Sequence, residues 1–284
     1  MTFPARRLST GNHDRDSSGM TYVYPVVSRR ARGVSVGINL NPNNACNWRC
    51  IYCQVPNLKR GGPPPIDLAL LETELRALLT AMIHGDYLQR HAPPKARRLV
   101  DVAFSGNGEP TSADEFPAAV ALVARVLDDF PISRAPLLRL ITNGSFLGRK
   151  AVQEGIRCIG ERQGEVWFKI DGVGAETTRL INGVALQPGV VLRRLETCAS
   201  LCPTWVQSCF FMFDGETPSQ DALERYLALL GSARDVLAGV HLYGLARPSQ
   251  QPEAARLQAL PAEWLEEFAE RIRTVTGLTV MVSP

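Results

Sequence analysis

The stretch VSVGINLNPNNACNWRCIYC, residues 34–53, joins an alternating strand pattern to three cysteines, Cys46, Cys50 and Cys53. Four-iron clusters are normally held by four thiolates. No fourth Cys or His lies nearby in the sequence, so a cluster on this C-x3-C-x2-C loop would leave one iron open to a small molecule. The loop therefore indicates an enzyme.

The chain from Gly33 onward alternates between strand and helix patterns. Val34, Val36, Ile38 and Leu40 alternate with small or polar residues, which is typical of a strand with one apolar face. Five further strands are predicted, each with a helical pattern after it, at 99–104, 137–142, 166–170, 204–213 and 238–243. Because parallel strands need such crossovers, we expect an α/β fold, a (β/α)6 partial TIM barrel.

The helices are predicted from apolar residues at helical spacing. After the second strand, Ser112-x-x-Glu115 matches a capping box and predicts that a helix begins there. The other helices are expected at 68–82, from about 146, and at 188–201, 219–235 and 261–275.

The first part of the chain differs in composition from the rest. Residues 1–32 are polar, rich in Gly and Ser, and carry scattered arginines, so we expect an N-terminal extension. Residues 33–284 are then expected to form one partial-barrel domain that includes a C-terminal helix.

Composition narrows the functional classes. The net charge of +3, from 31 basic and 28 acidic residues, is too balanced to indicate nucleic acid by itself. No apolar run approaches a membrane span of about 18 residues, and the N-terminus has no apolar stretch like that of a signal peptide. We therefore expect a cytoplasmic protein without a membrane partner, whose seven cysteines bind metal or are buried.

Polar residues gather where the predicted strands end. In parallel sheets of this kind, functional residues lie at the carboxyl ends of the strands. The cysteines follow the first strand in this way, and the later strands end at or contain the residues Gly106 to Pro110, Thr142 to Ser145, Lys169 and Asp171, Gln207, and Tyr243 to Pro248. The sequence predicts that these residues meet at the mouth of the barrel.

With these residues placed, the chain resembles the radical S-adenosylmethionine (SAM) enzymes. The cysteine spacing, Tyr52 before the last cysteine, and the Gly-Asn-Gly-Glu-Pro turn at 106–110 match that superfamily's signature elements in order. Residues 28–53, 104–111 and 242–248 look most like a subgroup with the wyosine-forming tRNA enzymes. The VWFKIDG strand and the TTRLING segment after it are also similar to the glycyl-radical activating enzymes.

The resemblance implies a 4Fe-4S cluster and SAM as cofactors. Cys46, Cys50 and Cys53 would hold the cluster, and the amino and carboxylate groups of SAM would chelate its fourth iron. One electron from the cluster would cleave SAM to methionine and a 5'-deoxyadenosyl radical, which abstracts hydrogen from substrate. The protein's part would be to position the cofactor, tune the cluster and exclude water.

The resemblance also implies which residues bind SAM. The backbone of Tyr52 would meet the adenine, and the turn would meet the amine, since glycine suits close approach to a ligand. Glu109 and Pro110 would fix that turn. The side chains of Asn143, Ser145 and Lys169 would contact the ribose and carboxylate of SAM. The full set is Tyr52, Gly106, Asn107, Gly108, Glu109, Pro110, Asn143, Ser145 and Lys169.

Other interpretations of the same residues stay open. A C-x2-C pair can belong to a structural zinc site, although such sites usually have a second Cys or His pair. Lys169 and Asp171 could form a plain ion pair. The cysteines Cys198, Cys202 and Cys209 could bind an auxiliary cluster, but burial in the core is the favoured account of them.

Three functions remain open from the sequence. The first is a radical SAM enzyme that acts on a small molecule, peptide or protein and takes electrons from a flavodoxin or ferredoxin. The second is radical modification of a tRNA base, which the subgroup resemblance favours, together with Arg29, Arg30 and Arg32. However, no cysteine precedes Cys46 to hold the second cluster of the wyosine-forming enzymes. The third is a non-enzymatic iron-sulfur electron carrier or sensor.

Overall fold

A computed structural model of the protein describes residues 7–9, 19–28, 33–130 and 137–284. Its strands are β1 Val23–Ser28, β2 Gly33–Ile38, β3 Ala45–Cys46, β4 Lys59–Arg60, β5 Leu99–Phe104, β6 Leu137–Thr142, β7 Glu165–Lys169, β8 Thr204–Cys209, β9 Met212–Phe213, β10 Gly239–Tyr243, β11 Leu257–Gln258 and β12 Val280–Ser283. Its α-helices are α1 Leu68–Ile83, α2 Tyr87–His91, α3 Phe116–Asp128, α4 Lys150–Glu161, α5 Ala175–Asn182, α6 Pro188–Ala199, α7 Gln220–Ala233 and α8 Ala262–Thr276.

Within the described residues, eight strands form one sheet in the order β1-β2-β5-β6-β7-β8-β10-β12. From β2 to β10 the neighbours are parallel, and helices connect most of them, so the predicted six-stranded partial barrel is confirmed. One strand is added at each edge: β12 is parallel to β10, and β1 is antiparallel to β2. No described helix has both the length and the apolarity that crossing a membrane requires.

The two faces of the sheet differ because side chains alternate along a strand. On the helix-covered face, β5, β6 and β7 contribute fully buried apolar residues such as Phe104, Leu140 and Val166. On the inner face, the same strands carry Asp101, Arg139 and other polar residues. The outer face therefore forms the apolar core, while the inner face lines a polar interior.

The strand β1 lies in the segment where the sequence predicted an extension. The buried carboxylate of Glu74 on α1 accepts backbone N–H groups of Thr21, Tyr22 and Val23 at 2.7, 2.8 and 3.2 Å. These bonds fasten the start of β1 to the first helix. No strand was predicted before Gly33, so β1 is an addition to the expected fold, and the domain boundary at residue 33 stays a prediction.

Other boundaries differ locally from the prediction. The helix expected from Ser112 begins at Phe116 instead, because Pro110–Ser112 form a 3-10 turn and the Ser112 hydroxyl donates to the Glu109 carbonyl at 2.6 Å. The strand expected over 204–213 ends at Cys209 and resumes as the separate pair of residues β9. The helix expected from about 146 begins at Lys150, and α5 had no prediction.

We predict that Glu74→Ala lowers the free energy of unfolding by about 2–4 kcal/mol, because it leaves buried backbone donors near Thr21 to Val23 without an acceptor. Chemical denaturation of the full chain measures this change. Glu72→Ala, at a half-buried carboxylate of the same helix that pairs with Arg76, is the control and should change the stability far less. Equal losses in the two variants would show that the carboxylate does not hold β1.

Candidate functional site

A cavity of about 280 Å³ opens at the carboxyl ends of the parallel strands. It brings together residues from most strands of the barrel, as the sequence predicted. Those that line it include all three motif cysteines and the predicted residues Tyr52, Gly106, Asn107, Gly108, Glu109, Asn143 and Lys169. The predicted residues Pro110 and Ser145 do not line it but lie next to residues that do.

Backbone contacts with α5 help to fix the cysteine loop. The backbone N–H of Arg49 donates to the Asn182 carbonyl at 3.0 Å, and that of Ile51 donates to the Ile181 carbonyl at 2.9 Å. Gly183 follows with a φ of 69°, and a Cβ there would lie 3.2 Å from the Arg49 carbonyl oxygen. The end of α5 therefore needs a glycine to let the loop pass so closely.

Two of the three sulfurs accept hydrogen bonds. The backbone N–H of Trp48 donates to Cys46 Sγ at 3.5 Å, and the side-chain amide of Asn182 donates to Cys50 Sγ at 3.2 Å. Burial raises the pKa of Cys46 to about 11 and that of Cys50 to about 12. The free protein therefore holds these thiols protonated, and metal binding would have to release those protons.

The loop fits an iron-sulfur cluster by its donor chemistry. All three cysteines are free thiols at one cavity, and N–H donors already face two of the sulfurs. Within the described residues, no three His, Cys, Asp or Glu side chains are arranged to hold a single metal ion. A four-iron cluster places each thiolate on a different iron, so its cysteines need not converge on one point.

The glycines of the 106–110 turn are explained by packing within the chain. A Cβ on Gly106 would overlap the Asn39 side chain, and one on Gly108 would overlap the Ala45 carbonyl. The turn also hydrogen-bonds this segment, because Asn107 N donates to Asn39 Oδ1 at 3.0 Å. The prediction attributed these glycines to the approach of a ligand, whereas the structure shows that contact with the segment after β2 already requires them.

Glu109 fastens that turn to the next strand. One carboxylate oxygen accepts the hydroxyls of Thr111 and Thr142, each at 2.5 Å, and the other accepts the backbone N–H of Asn143 at 2.7 Å. Burial raises the pKa of Glu109, and these hydrogen bonds oppose the shift. The protein itself therefore supplies the hydrogen-bond donors for both oxygens of the Glu109 carboxylate.

Asn143 and Ser145 contact the cysteine loop directly. The Asn143 amide donates to Asn47 Oδ1 at 2.9 Å, and the indole N–H of Trp48 donates to Ser145 Oγ at 3.0 Å. Both residues were predicted as contacts to SAM. In the structure their side chains position the segment between Cys46 and Cys50, and that they also bind SAM stays a prediction.

Lys169 lies in a buried network with Tyr52, Tyr243 and Asp171. Its ammonium donates to the hydroxyls of Tyr52 at 2.6 Å and Tyr243 at 3.3 Å, and lies 3.7 Å from Asp171 Oδ2. Burial acts to lower the pKa of Lys169, but Asp171 and the neighbouring Tyr243 outweigh it, so the pKa is raised. The ion pair that the sequence left open is therefore present.

Asn182 belongs to the same network and was not predicted. Its amide donates to both Cys50 Sγ and Asp171 Oδ2, the latter at 2.9 Å. It joins Cys50 to the Lys169 network across 132 positions of sequence. The signal that could have indicated it is the Asn-Gly pair at 182–183, which ends a helix just where the TTRLING segment resembles the activating enzymes.

Three solved structures with a similar fold are radical SAM proteins. A radical SAM methyltransferase from Sphaerobacter thermophilus aligns with a TM-score of 0.57 and 15% identity, over 92% of this chain and 68% of that one. The chain has the radical SAM fold. The anaerobic sulfatase maturating enzyme anSMEcpe, solved with bound AdoMet, aligns at 0.55 and 15% identity, over 87% and 62%. The same enzyme with AdoMet and Kp18Cys peptide aligns at 0.54 and 15%, over 87% and 63%.

The chain thus spans a little under two thirds of anSMEcpe, and at this identity the likeness shows the fold alone. No protein-family model matches the chain. A GTPase Obg from Brachyspira hyodysenteriae is 24% identical over 132 residues, which are 46% of this chain and 17% of that protein. We carry no nucleotide site over from it, because a P-loop needs a Gly-Lys pair and the sequence has none.

Two of the remaining cysteines of this radical SAM fold, Cys198 and Cys202, lie apart from the loop. Cys198 and Cys202 are buried in the main apolar core, where burial raises the pKa of each to about 12. Cys209 packs instead with Ile51 and Phe211 beside the cavity. This placement supports the burial account of Cys198 and Cys202 over an auxiliary cluster.

We predict that Glu109→Gln destabilises the protein by about 1–3 kcal/mol, because the amide turns an N–H₂ group toward donors that need an acceptor. The free energy of unfolding, measured with denaturant, tests this. The matched control is Asp114→Asn, a similar change at an exposed carboxylate of the next loop, and it should be close to neutral. A neutral Glu109→Gln would mean that the carboxylate does not fasten the turn.

Proposed function

We propose that this protein is a radical SAM enzyme, which binds a 4Fe-4S cluster through Cys46, Cys50 and Cys53 and reductively cleaves SAM. The cluster would supply one electron that splits SAM into methionine and a 5'-deoxyadenosyl radical, and the radical would take a hydrogen atom from substrate. A flavodoxin or ferredoxin is the proposed reductant, and the cytoplasm the proposed location.

One observation carries this proposal: the cysteine loop and the Gly-Asn-Gly-Glu-Pro turn, 53 positions apart at their nearest ends, share a wall of one cavity. The turn meets Asn39 and Ala45, and Asn107 donates to Asn44 Oδ1 at 2.6 Å, just before Cys46. A radical SAM enzyme needs its cluster and its SAM-binding turn side by side. The fold of the solved relatives agrees with this interpretation.

The residues of the chain would have two tasks: some would hold the cluster and SAM, and others would keep water out of the site. Asn182 and the backbone of Trp48 would donate to the cluster thiolates, which stabilises their negative charge. Tyr52, Lys169 and Asp171 would keep the far side of the loop rigid and dry. Backbone groups of Gly106, Asn107 and Gly108 would remain for the amine of SAM, with the side chain of Glu109 turned away.

The electron-carrier alternative is less well supported. A carrier needs a cluster near the surface but no cavity beside it, whereas the three cysteines here open onto a cavity of about 280 Å³. For tRNA modification, Arg29, Arg30 and Arg32 lie outside the described residues, while Arg247 at the rim of the cavity donates to Gln54 at 2.8 Å. We therefore favour a small molecule, peptide or protein as the substrate.

We predict that the anaerobically reconstituted protein, given dithionite and SAM, releases 5'-deoxyadenosine, and that Cys50→Ala abolishes both the cluster absorbance and this product. Cys50 would lose its iron, and a cluster with two protein thiolates would not assemble stably. Cys158→Ala, at a half-buried cysteine on α4, is the matched control and should keep both signals. A wild-type cluster that assembles but never cleaves SAM would instead favour the carrier.

We also predict that Asn182→Ala makes the reduction potential of the assembled cluster more negative. The substitution removes an N–H donor from Cys50 Sγ, and hydrogen bonds to sulfur favour the reduced, more negative cluster. A redox titration followed by electron paramagnetic resonance measures the shift. Asn43→Ala, on the exposed part of the preceding loop, is the control. An unchanged potential in a fully loaded Asn182→Ala variant contradicts the assignment.

A further inference from the structure

The side chain of Gln207 has an unusual position in the barrel. It lies in the middle of β8, is 2% exposed and lines the cavity. Its amide nitrogen is buried and has no hydrogen-bond partner among the described residues. An unsatisfied buried donor carries a free-energy cost, and native proteins retain few of them. Such a donor at a cavity wall is explained if a bound molecule supplies the acceptor.

The strand register places Gln207 inside the barrel, in the layer that also contains Lys169. Gln207 pairs with Lys169 of β7 on one side and with His241 of β10 on the other. Trp167, two residues before Lys169, lines the same cavity, and its ring contacts His241 at a tilt of 47° with ring centroids 4.3 Å apart. The donor therefore stands among aromatic walls, the combination of apolar surface and few polar groups that binds small ligand groups.

The charges nearby determine which acceptor would fit. Arg139, deeper in the cavity, is held by two carboxylates: it pairs with Asp101, and its Nε donates to Glu165 at 2.8 Å. The face of its guanidinium is covered by Trp167 at 4.0 Å. Lys169 is committed to Asp171 and two tyrosines. Arg139 and Lys169 are thus already paired with carboxylates. An anionic group that enters this region would lie near those carboxylates, and neither of the two cations is left to neutralise it.

We infer that Gln207 binds a neutral carbonyl or amide oxygen of the substrate. The inference rests on the proposed function. In that function SAM binds at the glycine turn at the mouth of the cavity, which leaves the interior of the cavity for the substrate. The substrate class is accordingly one with an uncharged oxygen acceptor at the end that enters the barrel, and an anionic carboxylate or phosphate at that end is disfavoured.

The test uses N-methylacetamide as a neutral probe and acetate as its anionic counterpart, each titrated into the full chain by ligand-observed nuclear magnetic resonance. We expect N-methylacetamide to bind the wild type and to bind Gln207→Leu about three- to tenfold more weakly, the loss of one neutral hydrogen bond. Gln207→Glu, which keeps the shape and removes the N–H, should lose the probe as well. Gln153→Leu, at a glutamine on α4 that donates to the Leu147 carbonyl at 2.8 Å, should bind like the wild type.

Several results would overturn the inference. They are tighter binding of acetate, no binding of N-methylacetamide, equal binding by Gln207→Leu, or displacement of the probe by SAM, which would assign Gln207 to the cofactor. Stability gives a second readout: Gln207→Leu should not be destabilised, because it removes an unpaired donor, whereas Gln153→Leu should be. Equal destabilisation would reveal a structural partner of Gln207 and refute the proposal.

These measurements need neither cluster nor SAM cleavage. A wild type that never yields 5'-deoxyadenosine would remove the proposed function while the probe result stood by itself. Conversely, if the protein cleaves SAM but Gln207→Leu binds the probe like the wild type, this inference is refuted and the proposed function stands.

Discussion

The site depends on the hydrogen bonds that the buried carboxylate of Asp171 accepts. One oxygen accepts the Tyr52 hydroxyl at 2.5 Å and the Asn182 amide at 2.9 Å, and the other accepts the backbone N–H of Cys209 at 3.0 Å. These donors come from the cysteine loop, from α5 and from β8, three segments that no regular ladder joins. A buried charge without partners would be costly, so the three segments are held in the one arrangement that satisfies it.

The same principle explains the other side of the site. The cysteine loop has little regular structure beyond the two-residue pairing of β3 with β4, so side chains must replace the missing ladder. The Glu109 side chain links the turn after β5 to the end of β6 by hydrogen bonds. Asn143 and Ser145, which follow β6, in turn hydrogen-bond to the cysteine loop. Two buried carboxylates, Glu109 near Cys46 and Asp171 near Cys50, therefore help to preorganise the loop.

The sequence predicted well what depends on periodicity and local motif. The six parallel strands were predictable because their outer faces are apolar at every second residue, and the cysteine loop because its spacing is local. Strand β1 was missed since Pro25 within Val23–Ser28 argues against a strand, yet a sheet edge tolerates a proline. Its anchor at Glu74 is about fifty residues away, and the bond from Asn182 to Cys50 spans 132. No local pattern encodes such distant pairs, so these parts of the site were out of reach.

The polar interior of the barrel is itself an argument about function. The helix-covered face of the sheet already supplies a continuous apolar core, so stability does not require Asp101, Arg139 and Glu165 to be placed inside. Replacing buried ion pairs by apolar residues is often neutral or stabilising, which means that such groups are rarely kept for stability alone. Here Asp101 and Glu165 both pair with Arg139 inside the barrel, while the Gln207 amide nitrogen has no hydrogen-bond partner among the described residues. The outer face of the sheet therefore provides stability, and the polar inner face is available to bind a ligand. An enzyme that admits its substrate into the barrel requires this division between the two faces.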